Sequence, residues 1–505
     1  MIKKYTGKHK IVLAGPGAGK THNMIKKVME AMDNIESHRY IVVITYTNAA
    51  TNEIKQRLSK LVSVPDNVYI GTIHSFMIRF IIEPYLKIVY EDMPNKKSYV
   101  EYNMEDINKI KDSKLRSIRR KILKDKLKQN GKISFDEIIT LSDGILKKQE
   151  IREALSKRIK YLFVDEFQDA NNKQAEVIES IRKGKHTKIE CVGDPEQYIM
   201  SFSYKGTSLP TPKFIKIPFK KFEQKKMYEF EIIKENHRSS KNIVDFINNF
   251  NFNLQQKKVS DNAIRNINDI PVYFINNFDL NDVINNFKTL YDQNKSIIKD
   301  KSILYLSKAN SNVSKISKIL NLQNTTEISV SGAIRNTLKL LENISGETAN
   351  EYMEEKNISL IQLRVKLSKL SNEIYVNNDI KLVENFIEDE FEINIDKNIK
   401  IEAMIKEYKN KFIVSNKTKN NIICMNIHNS KGLEAGSILV IAKDNNELSK
   451  WLERDYNIRC NDTEDTCRLG YVAFSRAKEL LAIACLEEID LNNMNILKEL
   501  NVFII

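Results

Sequence analysis

The stretch AGPGAGKT at 14–21 constrains this chain more than any other. It follows an apolar run, KIVLA at 10–14, and precedes a helical pattern at 20–32, so the order predicted is strand, glycine-rich turn, helix. Such a turn aims backbone N–H groups at a phosphate, and the helix N-terminus behind it adds positive dipole. Gly15, Pro16, Gly17, Ala18 and Gly19 would form the cradle. Lys20 would reach the β- and γ-phosphate oxygens, and the Thr21 hydroxyl would ligate Mg²⁺. The strict GxxxxGK(S/T) spacing fails at its first position, where Ala14 stands. A nucleotide site of this kind also needs a carboxylate at a strand end, and YLFVDEFQD at 161–169 supplies two. Asp165 is placed to hold the Mg²⁺ through water, and Glu166 to orient and deprotonate the attacking water.

Strand-like runs alternate with helical patterns around this pair. YIVVIT (40–45), YLFVDE (161–166) and KIECVGD (188–194) continue the theme, and KSILYLS (301–307), IICMNIH (422–428), GSILVIA (436–442) and LLAIACL (480–486) form a second block. That alternation predicts an α/β fold with two parallel sheets and crossover helices. With 505 residues and 42% hydrophobic content, sizeable cores can form, and 15 Gly and 9 Pro exclude a collagen-like chain. The longest apolar runs, IVVIT at 41–45 and SILVIA at 437–442, are far too short for a membrane span. No signal-type segment is legible at the N-terminus, and the 5 Cys include no CxxC pair, so a reduced, cytoplasmic protein without membrane or zinc is expected. The net charge of +14 points to a polyanionic partner. A basic helical stretch near 105–130 is either a solvated face or a nucleic-acid surface, and the acidic FIEDEFEINID at 386–396 reads as solvated surface.

DEFQDANNKQ, from Asp165 onward, is similar to the second motif of superfamily 1 helicases of the UvrD/Rep/PcrA type. The remaining motifs of that family follow in order. TYTNAATNEIKQR (45–57) resembles motif Ia, GTIHSF (71–76) motif Ib, and FDEI (135–138) the short element before motif II. VGDPEQYIMSF (192–202) resembles motif III, ENHRSS (235–240) motif IV, MNIHNSKGLE (425–434) motif V and RLGYVAFSRAK (468–478) motif VI. The resemblance implies two RecA-like P-loop NTPase domains with small helical insertions, using ATP and Mg²⁺ at their interface. It implies that Gln197 senses the γ-phosphate, that Arg238 and Arg476 approach it, and that Glu434 links the nucleotide to the second domain. On the nucleic-acid side it implies base stacking by Tyr46 and Phe202 and backbone contacts by Thr72, His74, His428 and Ser430. The lone tryptophan, Trp451, lies outside the motifs and is expected to be structural.

The chain departs from the family at several points. No glutamine precedes the loop to read the base, the stretch after Gln197 lacks the usual Trp/Phe-Arg-Gly, Asn426 replaces a threonine, and Ala435 replaces an aromatic. The spacing predicts a first core domain at 1–83 and 131–265 and a second at 266–330 and 416–505. Small helical insertions at 84–130 and 331–415 complete it. So compact an organisation resembles the helicase-like subunit of the Gabija anti-phage system, whose partner is an OLD-type nuclease with its own ATPase domain. The expected function is a 3′→5′ ATP-dependent DNA helicase or translocase on single-stranded or tailed DNA. The alternative is an ATPase that senses DNA ends or single strands and licenses a partner nuclease without processive unwinding.

Overall fold

A computed structural model describes residues 5–91, 131–200, 218–259, 270–320 and 422–505 without a break, with shorter stretches between them, chiefly 98–100, 330–345, 349–356, 360–376 and 380–393. Two six-stranded sheets organise the chain. The first contains β1 (His9–Ala14), β2 (Tyr40–Thr45), β3 (Val68–Thr72), β4 (Ile159–Val164), β5 (Lys188–Gly193) and β6 (Tyr228–Ile233), in the order β3-β2-β4-β5-β1-β6. The second contains β7 (Tyr273–Ile275), β8 (Ile303–Ser307), β9 (Ile422–Asn426), β10 (Ala435–Ala442), β11 (Ala477–Cys485) and β12 (Phe503–Ile504), in the order β9-β8-β10-β11-β7-β12. Every pairing in both sheets is parallel. The α/β reading with two RecA-like parallel-sheet domains is therefore what the chain forms.

Continuous apolar strands are what a sheet covered on both faces requires. Ile11, Leu13, Val42 and Ile44 enter one core, while their neighbours Val12, Ala14, Ile41 and Val43 enter another on the opposite face. The second sheet repeats the division, with Leu304, Leu306, Ile438 and Val440 on one side and Ile303, Tyr305, Leu439 and Ile441 on the other. Trp451 is fully buried in this second domain, and a Cβ on Gly470 would come within 2.7 Å of it, so its structural role holds. All five cysteines are free and buried, Cys191 in the first domain and Cys424, Cys460, Cys467 and Cys485 in the second. Burial pushes each of these thiols above its ordinary pKa.

The helices that matter for the site are α1 (Lys20–Met32), α2 (Asn48–Ser59), α3 (Lys241–Asn248), α4 (Tyr456–Asn461) and α5 (Thr466–Phe474). The division expected at 265/266 differs from the packing. Ile243, Phe246 and Ile247 of α3, with Phe250 behind it, lie in the second domain's core beside Phe274 and Phe474. After α3 the chain returns to the first domain, where Leu254 is buried and Lys257–Lys258 pairs with Glu235–Asn236. The sequence KNIVDFIN is amphipathic, and its apolar stripe of Ile243, Phe246 and Ile247 is the face that the second core buries.

Between the sheets' segments lie helical insertions. Helices Val330–Ser345, Leu360–Val376 and Ile380–Phe391 share a core of their own that includes Leu341, Leu367, Leu370 and Ile387. The acidic segment at 386–393 is thus half core, since Ile387 and Phe391 are buried, while 394–396 lie outside the described residues. Of the basic stretch at 105–130, the residues described between 112 and 125 are all exposed. No helix among the described residues is long and apolar enough to cross a membrane.

Candidate functional site

The loop between β1 and α1 is built on two left-handed residues, Gly17 (φ 70°) and Gly19 (φ 73°), a conformation that costs glycine little. Space enforces the choice at Gly17, where a Cβ would meet Asn236 Oδ1 at 2.6 Å and Arg238 Cβ at 2.7 Å. A Cβ on Gly15 would collide with the Gln256 side chain at 2.7 Å. Ala14 explains its own departure: it is the last residue of β1, fully buried and paired with Ile233, and a strand end in a core accepts a methyl group. Lys20 and Thr21 open α1, and Lys20 Nζ reaches across to Glu166 Oε1 at 3.4 Å.

Asp165 and Glu166 follow β4, which lies two strands from β1 with β5 between them. Asp165 is buried and its Oδ1 accepts the Glu166 N–H at 2.9 Å. Glu166 adopts φ 48°, a left-handed conformation rare outside glycine, which turns its side chain back toward Lys20. Burial, reinforced by the charge of Glu166, pushes the Asp165 carboxyl well above its ordinary range. Burial also works against Glu166, but Lys20, Lys431, a short hydrogen bond from Gln168 and Arg476 outweigh it and keep this carboxyl strongly acidic. A buried carboxylate in want of positive charge next to a lysine and a glycine cradle fits a divalent cation bound with phosphate oxygens.

Residues from the second sheet close the site. Gln197 sits in the turn after β5, fully buried, and donates to Asp194 Oδ2 at 2.8 Å. Its Oε1 accepts from Arg476 Nη2 at 3.0 Å, a contact between the two domains. Burial and the charge of Arg238 press the Arg476 pKa down to about 9, which leaves it charged at neutral pH. Arg238 donates through Nε to Glu434 Oε2 at 2.6 Å and through Nη1 to the Ser475 carbonyl at 3.1 Å. Lys478 Nζ holds the other Glu434 oxygen at 2.9 Å and Asp300 Oδ2 at 2.9 Å. Burial alone would raise the Glu434 pKa, but Arg238 and Lys478 hold it below the usual carboxylate range.

Sequence reasoning missed the groups that brace these residues. Asn236 Nδ2 and Gln256 Nε2 both donate to the Pro16 carbonyl, at 3.1 and 3.0 Å, and the His237 N–H donates to the Gly17 carbonyl at 2.8 Å. The Pro16 and Gly17 carbonyls are thus held from outside the loop, while the Ala18 N–H bonds within it to the Gly15 carbonyl at 3.3 Å. Gln168 bridges Glu166 and the Asp194 N–H, the latter at 3.1 Å. Lys431 spans the domains to both Asp169 oxygens, at 2.5 and 2.7 Å, and to the Gln197 carbonyl at 3.2 Å. Asn236, Gln168, Asp169 and Lys431 lie inside motifs and were legible as neighbours; Gln256 gave no local signal.

The residues expected to contact nucleic acid follow other strands. Tyr46 follows β2, half-buried against the first core, and Thr72 ends the adjacent β3, with Thr45 and Thr72 paired. Thr72 Oγ1 caps the next helix by accepting the Ser75 N–H at 3.3 Å, and His74 packs edge-on to Phe135, ring centroids 5.2 Å apart. His428 and Ser430 follow β9, the edge strand of the second sheet. Burial lowers the His428 pKa. The Ser430 side chain is buried and committed to the Ile427 carbonyl at 2.7 Å, so its hydroxyl holds the turn. Phe202 lies outside the described residues.

Two family models match the chain, one in each half. The AAA domain family matches residues 1–203, and the family described as UvrD-like helicase C-terminal domain matches residues 332–488. The chain is 24% identical over 452 residues to an ATP-dependent DNA helicase Rep of Buchnera aphidicola (subsp. Acyrthosiphon pisum), covering 75% of this chain and 68% of that protein. It is 23% identical to a probable DNA helicase II homolog of Mycoplasma pneumoniae, covering 93% of this chain and 81% of that protein. A PcrA helicase of Staphylococcus aureus is 24% identical across 52% of this chain and 40% of its own length.

Proposed function

Taking this chain as a member of the UvrD/Rep/PcrA-type helicase family, which the two domain matches support, we propose that it is an ATP-hydrolysing DNA helicase that moves 3′→5′ on single-stranded DNA. The hydrogen bond from Arg476 to Gln197 is the observation that carries the reading, because it joins an arginine of one domain to the turn of the other within a network that includes Lys20 and Glu166. Only a site assembled from both domains can turn nucleotide chemistry into relative motion.

The cradle of Gly15–Thr21 binds the phosphates, and Lys20 neutralises β- and γ-oxygens. Mg²⁺, held by Thr21 and Asp165, would supply charge neutralisation on those oxygens. Glu166, kept ionised by its cationic neighbours, orients the attacking water and accepts its proton. Arg476 and Arg238 stabilise charge on the transferring phosphoryl group, Arg238 after leaving Glu434. Tyr46, Thr72, His74, His428 and Phe202 serve as the strand-binding set, with the buried Ser430 hydroxyl holding the turn that carries His428, and stacking on aromatic faces gives grip without sequence preference. We further propose, from the resemblance of its compact organisation to the helicase-like subunit of the Gabija system, that the chain works within an anti-phage complex beside an OLD-type nuclease.

The test measures ATP turnover with and without single-stranded DNA, beside strand displacement on a 3′-tailed duplex. Stimulation with displacement is expected; stimulation alone would favour a single-strand sensor that licenses a partner nuclease, and no stimulation would overturn both. Lys20→Ala is expected to abolish hydrolysis, and retained turnover would refute the phosphate site.

A further inference from the structure

The turn Asp194–Tyr198 follows β5 and is rooted in the first domain, where the Asp194 N–H meets Gln168 and the Tyr198 ring is buried. Its remaining polar contacts come largely from the second domain. Tyr471 donates to Asp194 Oδ2 at 3.2 Å, Arg468 Nε to the Tyr198 carbonyl at 2.9 Å, Arg476 to the Gln197 side chain, and Lys431 to the Gln197 carbonyl. Between these anchors stands Glu196, whose Oε2 meets Arg459 Nη2 at 3.2 Å. Both side chains are almost fully enclosed, at 2% and 1% exposed.

Arg459 lies in α4, outside every motif assigned to nucleotide or DNA, and it is held as firmly as it holds. Its Nη1 donates to the Glu453 carbonyl at 3.1 Å, its guanidinium lies 5.9 Å from the centre of the Phe250 ring, and its own carbonyl accepts from Arg468 at 2.9 Å. A charge pair shut away from water is costly to separate, because each partner is then left uncompensated. The second domain therefore grips two consecutive residues of the turn, Glu196 through α4 and Gln197 through the residue pair that follows α5.

We propose that Arg459 is a positioning residue for ATP hydrolysis, which through its buried ion pair with Glu196 holds the turn in register with α5 so that Gln197 and Arg476 meet the γ-phosphate together. This rests on the reading of the site as an ATPase. Arg459 bonds to Glu196 and to the Glu453 and Cys467 carbonyls, so its effect on the site passes through the turn and Gln197.

The experiment is a cycle on the full chain at saturating single-stranded DNA, comparing Arg459→Gln, Gln197→Ala and the double variant. Arg459→Gln is expected to lower kcat by about tenfold with KM for ATP unchanged, and to add little to the loss already caused by Gln197→Ala. An unchanged kcat, or the same factor lost in both backgrounds, would overturn the proposal. Because Arg459→Gln strands the Glu196 charge, Glu196→Gln/Arg459→Gln is measured beside it. A wild-type melting temperature with kcat still about tenfold down supports positioning, and wild-type kcat in that pair refutes it. Failure of the underlying ATPase reading shows separately, as equal turnover by the wild type and Lys20→Ala.

Discussion

Glu166 shows how one residue can be strained for a purpose. Its left-handed φ of 48° costs on the order of 1 kcal/mol for a residue with a Cβ, and what the site gains is a carboxylate turned back from the strand end to within 3.4 Å of Lys20. Substituting Glu166→Gln keeps the shape and removes the proposed base. Turnover is expected to fall about 10²- to 10⁴-fold while ATP binding persists, which single-turnover kinetics and nucleotide-binding titration would separate. A loss of binding equal to the loss of rate would mean that Glu166 serves only to hold the loop. At this scale the sequence was informative wherever function sits within a few residues of a glycine turn or a strand end. Lys20, Asp165, Glu166, Gln197 and Arg476, each read from its own stretch of sequence, lie in one network. Gln256 and Arg459 were illegible, since each acts across more than two hundred residues on a partner that nothing in its own neighbourhood announces.

At the scale of elements, α3 is the instructive case. The sequence around Arg238 belongs with the first domain's nucleotide loop, and Asn236 does bond to that loop, yet a few residues later the helix buries its apolar face in the other core. Periodicity announces an apolar stripe and leaves its partner open. Phe250 tests the assignment. It is fully buried against Phe246 and Phe474, with ring centroids 5.2 and 5.9 Å away. Phe250→Ala is expected to destabilise the second domain by about 3–5 kcal/mol and to leave the first nearly untouched. Hydrogen exchange read domain by domain would show this, and equal loss in the strands of the first sheet would return α3 to the first domain.

For the whole molecule, stability and acidity are linked through His9 at the start of β1. It is buried between Tyr5 and Tyr228, and its Nδ1 accepts the Ile189 N–H at 3.2 Å, which requires the neutral ring. Burial, with Arg182 nearby, pulls its pKa from 6.5 down to about 4. A depressed histidine pKa means that the fold prefers the deprotonated form, so the stabilisation is complete above pH 6.5 and is lost as pH falls from there toward 4. Allowing for screening, the first domain should lose about 1–2 kcal/mol between pH 7 and pH 5. Thermal melts of the wild type and His9→Gln would show the difference, and an acid dependence unchanged by the substitution would assign the effect elsewhere. The two-sheet plan was readable from the alternation of strands and helices, because burial on both faces writes apolar runs into the sequence. The domain seam was not, because its contacts, polar ones such as Arg476 to Gln197 and apolar ones such as Ile199 in the second core, join residues that are distant along the chain.

The five enclosed cysteines give the molecule a built-in reporter. A thiol that is both walled in and hard to ionise reacts with an alkylating reagent when the surrounding core opens. Cys191 reports on the first sheet and the other four on the second domain. The rate at which each is labelled, resolved by peptide, therefore times the opening of each half without any engineered probe. Native chemistry thus records which half lets go first when the protein is heated or offered nucleotide.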